Sequence, residues 1–395
     1  MSSICGIVDF ESSFVDFNTL KDMGKAMVLR GKDQSGAYIS RGVGLQHDRM
    51  VLSEASAERQ PHTVERDGRV YTVVFDGELY NMANIPCSSG LLGFNSAAEA
   101  VIEGYIAYGY KCVEYLDGIF AFAIYDEEKR EVFLARDSIG AKPLYYLNDG
   151  RRLVFASEIK GILRYLKDGV EIDRGALCEL ITSPLGMIGA TELYRGIKEL
   201  PESAFAIHSR LGTQVGEYLP SKSLYGIASE RRSKEVFRAE NTIKCESLPS
   251  VLNEALVAFD HPAFDEFMCG YLNLLKGIKG IERAVIEDSA LSIDFGYAMQ
   301  RADRLGMMNG ILIETRSLEE EKKIKNSVLY RAEKFLLDGA SELICGGDSY
   351  VSSIFGGEIL ESIKRERDIR RRIRSYGMII QAERWIRSYP IIFVK

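Results

Sequence analysis

The run EVFLARDSIGAKPLYYLNDGRRLVFA, residues 131–156, decides how the first half of the chain is built. Its two ends, residues 131–135 and 153–156, are short apolar runs of the kind that form buried strands. Asp149-Gly150 separates the apolar residues 144–147 from 153–156, and that dipeptide is a strong hairpin signal. Working outward, residues 70–75 and 120–125 read as two more buried strands. The opening residues 4–10 read as another, which holds the start of the chain inside a sheet. Apolar residues recur three and four apart over 17–29 and 97–108, which predicts helices there.

Beyond about residue 168 the pattern changes. Residues 173–182 and 248–258 look helical, with a polar, charge-rich linker at 230–246 between them. From 319 onward helical stretches dominate, including a highly charged one over 362–375, and the chain closes on the apolar residues 391–394. A chain of 395 residues is too long for one ordinary core and predicts two domains, 2–167 and 168–395. No internal repeat or low-complexity segment interrupts them.

With 46% hydrophobic and 27% charged residues the composition is that of an ordinary globular protein. A net charge of -7 gives no reason to expect a nucleic-acid partner, and the run Arg370, Arg371, Arg372, Arg374 reads as a solvated helix face. Cys5, Cys87, Cys112, Cys178, Cys245, Cys269 and Cys345 are scattered singly, with no paired spacing and no histidine at metal distance, so no metal site is expected. The absence of a long apolar run and of a signal-peptide pattern predicts a cytoplasmic chain without a membrane span.

Several longer motifs follow one another in a recognisable order. Arg30-Gly31-Lys32-Asp33-Gln34-Ser35-Gly36 is similar to R-G-P-D-x-x-G, and Asp76-Gly77-Glu78-Leu79-Tyr80-Asn81 to N-G-E-I-Y-N. Leu116-Asp117-Gly118 through Ile124, Phe133 through Tyr146, and Phe155-Ala156-Ser157-Glu158-Ile159-Lys160 complete the series. Together they resemble the class II glutamine amidotransferase domain of asparagine synthetases. The resemblance implies an α+β fold, in which a four-layer αββα N-terminal-nucleophile hydrolase domain precedes a mostly helical, shortened synthetase remnant.

That family attacks the glutamine amide with the thiolate of an N-terminal cysteine, whose free amine acts as the base. Laid against it, this chain puts Ser2 at the nucleophile and Cys5 at a bland strand position, where a small buried residue is expected. Asp76, beside Gly77, stands where the family has the asparagine that donates to the oxyanion, and an ionised carboxylate accepts rather than donates. Ala97 replaces the aspartate that pairs with the substrate α-ammonium, while Arg30, which would hold the α-carboxylate, and Glu78 remain. Three substitutions at defining positions predict loss of glutamine hydrolysis, with Arg30 and Glu78 kept for the fold as a buried arginine and its carboxylate.

Residues 191–201 resemble the segment leading into the synthetase domain, but the S-G-G-x-D-S loop that cradles pyrophosphate has no counterpart between 218 and 248. Asp288 matches the acidic residue of a later motif whose glycines are gone, and Cys345-Gly346-Gly347-Asp348-Ser349 reads as a turn. ATP and magnesium are therefore implied only if the synthetase half is active. The first functional reading is an eroded asparagine synthetase-like protein, kept as a partner of an active paralogue, as a homodimer, or as a sensor of glutamine or aspartate. The second is an active ATP-using amide-forming ligase fed by ammonia or by slow hydrolysis at Ser2, and the third an amidase with another substrate.

Overall fold

The computed structural model describes residues 2–12, 14–28, 30–31, 33–49, 59–87, 93–167, 169–182, 193–218, 283–287, 312–316, 326–346, 349–389 and 391–393. In chain order the first part runs β1 (Ser2–Asp9), α1 (Phe17–Ala26), β2 (Gln34–Ser40), β3 (Val43–Arg49), β4 (His62–Arg66) and β5 (Arg69–Leu79). It continues with α2 (Ala97–Tyr108), β6 (Gly118–Asp126), β7 (Glu131–Arg136), β8 (Tyr145–Asn148), β9 (Arg152–Ala156) and α3 (Ile159–Tyr165). β10 (Val170–Ile172) and α4 (Arg174–Thr182) precede β11 (Ile197–Glu199), β12 (Ala204–Ser209) and β13 (Gly212–Glu217).

Two six-stranded sheets result, in the orders β11-β8-β9-β1-β3-β2 and β13-β12-β7-β6-β5-β4. β1 lies inside the first, antiparallel to both β3 and β9, as its apolar, β-branched composition predicts. Because side chains alternate across a strand, each sheet buries two faces. Ile4, Val8, Leu45 and Phe155 from the first sheet meet Val74, Ala123 and Leu134 from the second in an inner core. On the outer face of the second sheet, Val101, Ile102 and Tyr105 of α2 pack against Val73, Phe75 and Phe133. α1 and α3 cover the outer face of the first sheet. The expected four-layer αββα order is thus present.

The sheets reach past residue 167, where the sequence places the end of the first domain. β11 pairs with β8, and β12 with β7, so residues 197–217 complete the two sheets while 166–195 belong to the second compact unit. β2, β3 and β4, which the sequence analysis did not assign, are half-exposed or rich in polar residues, so their apolar signal is weak.

α1 stops before the predicted end at 29. Asp16 caps its start by accepting from the Asn18 amide, and successive turns, Met27 N–H to Gly24 carbonyl and Arg30 N–H to Met27 carbonyl, close its other end. That closure brings Arg30 inward. In the second unit α5 (Asn326–Cys345), α6 (Tyr350–Ile354), α7 (Glu358–Arg365) and α8 (Ile369–Ser388) follow the backbone strands β14 (Arg283–Glu287) and β15 (Leu312–Arg316), and β16 (Ile391–Phe393) pairs in parallel with β10. The charged stretch 362–375 is two helices, not one. Glu366 is extended, at ψ 130°, and its carboxylate and carbonyl take up the Asp368 amide and the Arg372 guanidinium at the break. The expected elements at 230–246 and 248–258 lie outside the described residues.

Candidate functional site

The chain closing α1 delivers Arg30 to the underside of β1, where its side chain is 0% exposed. Its Nε donates to the Ser2 carbonyl at 3.0 Å, and Nη2 donates to Asp76 Oδ2 at 2.8 Å. Nη1 stands 3.8 Å from Glu158 Oε1. Asp76 comes from β5, on the same face as Val74, and so points into the space between the sheets.

A second cation reaches Asp76 through the loop after β7. Asp137 gathers four backbone amides there: Oδ2 takes those of Phe120 and Lys142, and Oδ1 those of Ile139 and Ala141, at 3.0–3.2 Å. Arg136 crosses the same loop and donates to the carbonyls of Lys142, Gly140 and Leu200. This holds Lys142 with its Nζ 3.6 Å from Asp76 Oδ1. Behind them Lys160, on α3, pairs with Glu158 at 3.0 Å.

Burial alone would push the Asp76 carboxyl up, but Lys142, the charge and hydrogen bond of Arg30 and the terminal ammonium outweigh it and hold it below the usual aspartate range. Asp76 is therefore an ionised, internally neutralised group. Next to it His47, opposite Ile4 on β3 and 3% exposed, is driven down to about 4 by desolvation, with Arg49 and the terminal ammonium in the same direction. Asp76 and a hydrogen bond to the Phe75 backbone oppose that shift without cancelling it, and the ring is neutral at pH 7.

Of the expected site residues, Ser2, Arg30 and Asp76 converge. Ser2 is half-buried within β1 rather than frayed. Gly77 has φ of 145°, and a Cβ there would lie 2.0 Å from the Ile119 carbonyl oxygen, so the strand crossing at this point demands glycine. Glu78 is exposed and is not the carboxylate that balances Arg30, contrary to the pairing expected from the sequence; Asp76, buried on β5 opposite Ala121, and Glu158 take that role, while Glu78 lies toward the exposed end of the strand. Ala97 opens α2 behind the Ser96 cap and packs on the outer core, on the other side of the sheet from the inner face that Asp76 occupies. Asp288 lies outside the described residues. Cys345 ends α5 and Ser349 caps α6, and residues 347–348 lie outside the described residues.

Cys5 faces α1 fully buried, and burial with the nearby Asp48 charge raises its thiol well above the usual range, as suits a packing residue. The sequence reading did not assign Lys142, Glu158, Lys160 or His47 to the site. Lys142, Glu158 and Lys160 were visible as charges inside otherwise apolar motifs, whereas His47 carried no signal, because only the pairing of β3 with β1 brings it there.

Residues 1–219 match the glutamine amidotransferase domain family. The match covers more than half of the chain, which belongs to that family. Among its relatives, glutamine-hydrolysing asparagine synthetase 3 of Bacillus subtilis is 32% identical over 223 residues, 55% of this chain and 36% of that protein. A putative glutamine-hydrolysing asparagine synthetase 2 of Methanocaldococcus jannaschii is 32% identical over 181 residues, 41% of this chain and 35% of that protein. The matched part thus spans about a third of the length of these curated relatives. Among solved structures, the glutamine phosphoribosylpyrophosphate amidotransferase of B. subtilis, complexed with ADP and GMP, aligns over 79% of this chain and 65% of its own at 15% identity and a TM-score of 0.39.

Proposed function

We propose that the chain is an asparagine synthetase-like protein that has given up glutamine hydrolysis and serves as a binding or regulatory protein. The observation that carries this reading is the commitment of Arg30. By the family resemblance its guanidinium receives the substrate α-carboxylate; here its donors turn to the Ser2 carbonyl, Asp76 and Glu158. Asp76 occupies the place of the ligand's carboxylate from within the chain.

For a free amino acid to bind at Arg30 it must displace Asp76 and leave a buried carboxylate short of a partner, at a cost of about 3–5 kcal/mol. A charged hydrogen bond to the incoming carboxylate returns only about 1.5–3 kcal/mol. The same carboxylate offers no donor to a developing oxyanion, and loss of one such donor costs on the order of 100-fold in rate or more. Ser2 supplies a hydroxyl in place of a thiolate. Displacement of Asp76, the missing oxyanion donor and the hydroxyl nucleophile are three effects in one direction.

The test is incubation of the purified chain with glutamine, and separately with ATP, aspartate and either glutamine or ammonium, reading glutamate and AMP. Neither product is expected above background. Glutamate release at an ordinary enzymatic rate, around 1 per second, refutes the reading, and AMP formation with ammonium alone establishes the ligase alternative.

A further inference from the structure

β1 carries the chain away from Ser2, so that Phe10 lies about 25 Å from the Arg30 site, at the other end of the two sheets. Two turns of the second sheet arrive there. β12 pairs with β7 as far as His208 opposite Val132, and beyond that pair lie Arg130, in the turn before β7, and Arg210, in the turn after β12. Both guanidiniums donate to a single oxygen, the Phe10 carbonyl, Arg130 through Nη2 at 2.9 Å and Arg210 through Nη2 at 3.4 Å. The Arg130 guanidinium also stands over the Phe10 ring, 5.6 Å from its centre.

Two like charges sharing one neutral oxygen repel each other. The carboxylates at this end are engaged elsewhere: Asp9 and Glu11 with Arg151, Glu127 with Arg41, and Asp9 also with the amides of Glu11 and Ser12. Among the described residues neither Arg130 nor Arg210 has a carboxylate partner. Two buried donors beside them are unmatched as well. Nε of Arg130 has no hydrogen-bond partner, and neither has the hydroxyl of Tyr125, which is 0% exposed and whose ring stacks on Phe10 at 6.4 Å. Burial, then Glu127 and Tyr38, push that phenol up to about 12 against the opposing charges of Arg130 and Arg41, so it is a protonated donor on the arginine side of the ring. Buried donors without acceptors are rare, and here two of them adjoin a pair of uncompensated cations.

We infer that this end of the sandwich is a binding site for the phosphate group of a small phosphate monoester. Phosphate supplies the negative charge that the two guanidiniums lack and fits the arginine fork. It presents three terminal oxygens, one each for Arg130, Arg210 and Tyr125, where a carboxylate presents two. Arg210, exposed and on the longer of the two bonds to Phe10, is the side chain that moves to admit the ligand. The site shares no residue with the Arg30 cluster and is independent of the functional reading above.

The test is isothermal titration of the full chain with inorganic phosphate at constant ionic strength, with circular dichroism as the check on folding. Saturable binding with a dissociation constant of about 1 mM or below is expected. Arg130→Gln and Arg210→Gln each weaken it about tenfold or more, and Tyr125→Phe, which keeps the ring stack, about threefold. Arg69→Gln, at an exposed arginine paired with Glu128, leaves it unchanged. Acetate in place of phosphate binds about tenfold more weakly. Absence of saturable phosphate binding up to about 10 mM overturns the proposal, as does binding that survives both Arg130→Gln and Arg210→Gln or that falls equally in Arg69→Gln. Equal affinity for acetate overturns the assignment to phosphate. Should Arg130→Gln not fold, Arg210→Gln, at an exposed turn, decides in the same way.

Discussion

Among the described residues of the amidotransferase-like unit two arginines are fully buried, and they meet different kinds of partner. Arg136 spends its donors on the main-chain carbonyls of Gly140, Lys142 and Leu200, with Glu199 alongside at 2.8 Å. Arg30 meets one carbonyl, of Ser2, and otherwise the carboxylates of Asp76 and Glu158. Carbonyl partners are present whatever the side chains are, so Arg136 belongs to the fold. Carboxylate partners come and go with single substitutions. The environment of Arg30 is therefore where a site can be converted while the sheets stay as they are.

The contrast breaks most sharply at Arg136. Arg136→Leu strips three buried carbonyls of their donor at about 1–3 kcal/mol each. A loss of about 5 kcal/mol in urea unfolding is expected, with loss of the fold at physiological temperature. Survival of this variant with near-natural stability removes the distinction between the two arginines.

The acid dependence of stability sharpens the other side. His47 has a folded pKa of about 4 against an ordinary 6.5, so between those values the unfolded chain binds the proton more readily. Its contribution is whole above pH 6.5 and disappears as the pH falls toward 4, amounting to roughly 3 kcal/mol over that window. Asp76, depressed in the folded state, adds a loss of the same sign below the ordinary aspartate range. Unfolding free energies from pH 7 to 4 in the natural chain and in His47→Gln, which keeps a donor for the Phe75 carbonyl, test this; an unchanged slope in the variant excludes His47 as the source.

Asp76→Asn has a smaller expected effect on stability. An amide oxygen still accepts from Arg30 but no longer neutralises Arg30 and Lys142, which costs about 2 kcal/mol. Glu78→Gln, on the exposed side of Gly77, serves as the control and stays within about 0.5 kcal/mol. Equal stabilities of Asp76→Asn and the natural chain mean that Arg30 is not committed to Asp76, and the proposed loss of function then loses its main support.

Much of this was legible in the sequence because it depends on local pattern. Apolar runs locate β1, β5, β6, β7 and β9, the Asp149-Gly150 turn locates the hairpin of β8 and β9, and the spacing of apolar residues locates α2. β12 and β13 were not legible, since β12 is half-buried at every second residue, β13 buries none, and they take their places only by β12 pairing with β7 and β13 with β12. The helix break at 366–368 was hidden by charges that suit a helix surface and a capped turn equally well.

The sequence by itself determined the order of the motifs, from which Ser2, Asp76 and Ala97 are expected at the family's working positions, because motif order is legible without coordinates. Only the tertiary structure decided what those residues do to one another. Asp76 could be read in isolation as a lost donor; that it is also the counter-ion of Arg30 and Lys142 follows from two sheets closing face to face and from the Asp137 loop aiming Lys142. The physical reason is range: strand and helix signals reside in neighbours along the chain, whereas the charge state of a buried group is set by whatever distant segments come within a few ångströms of it.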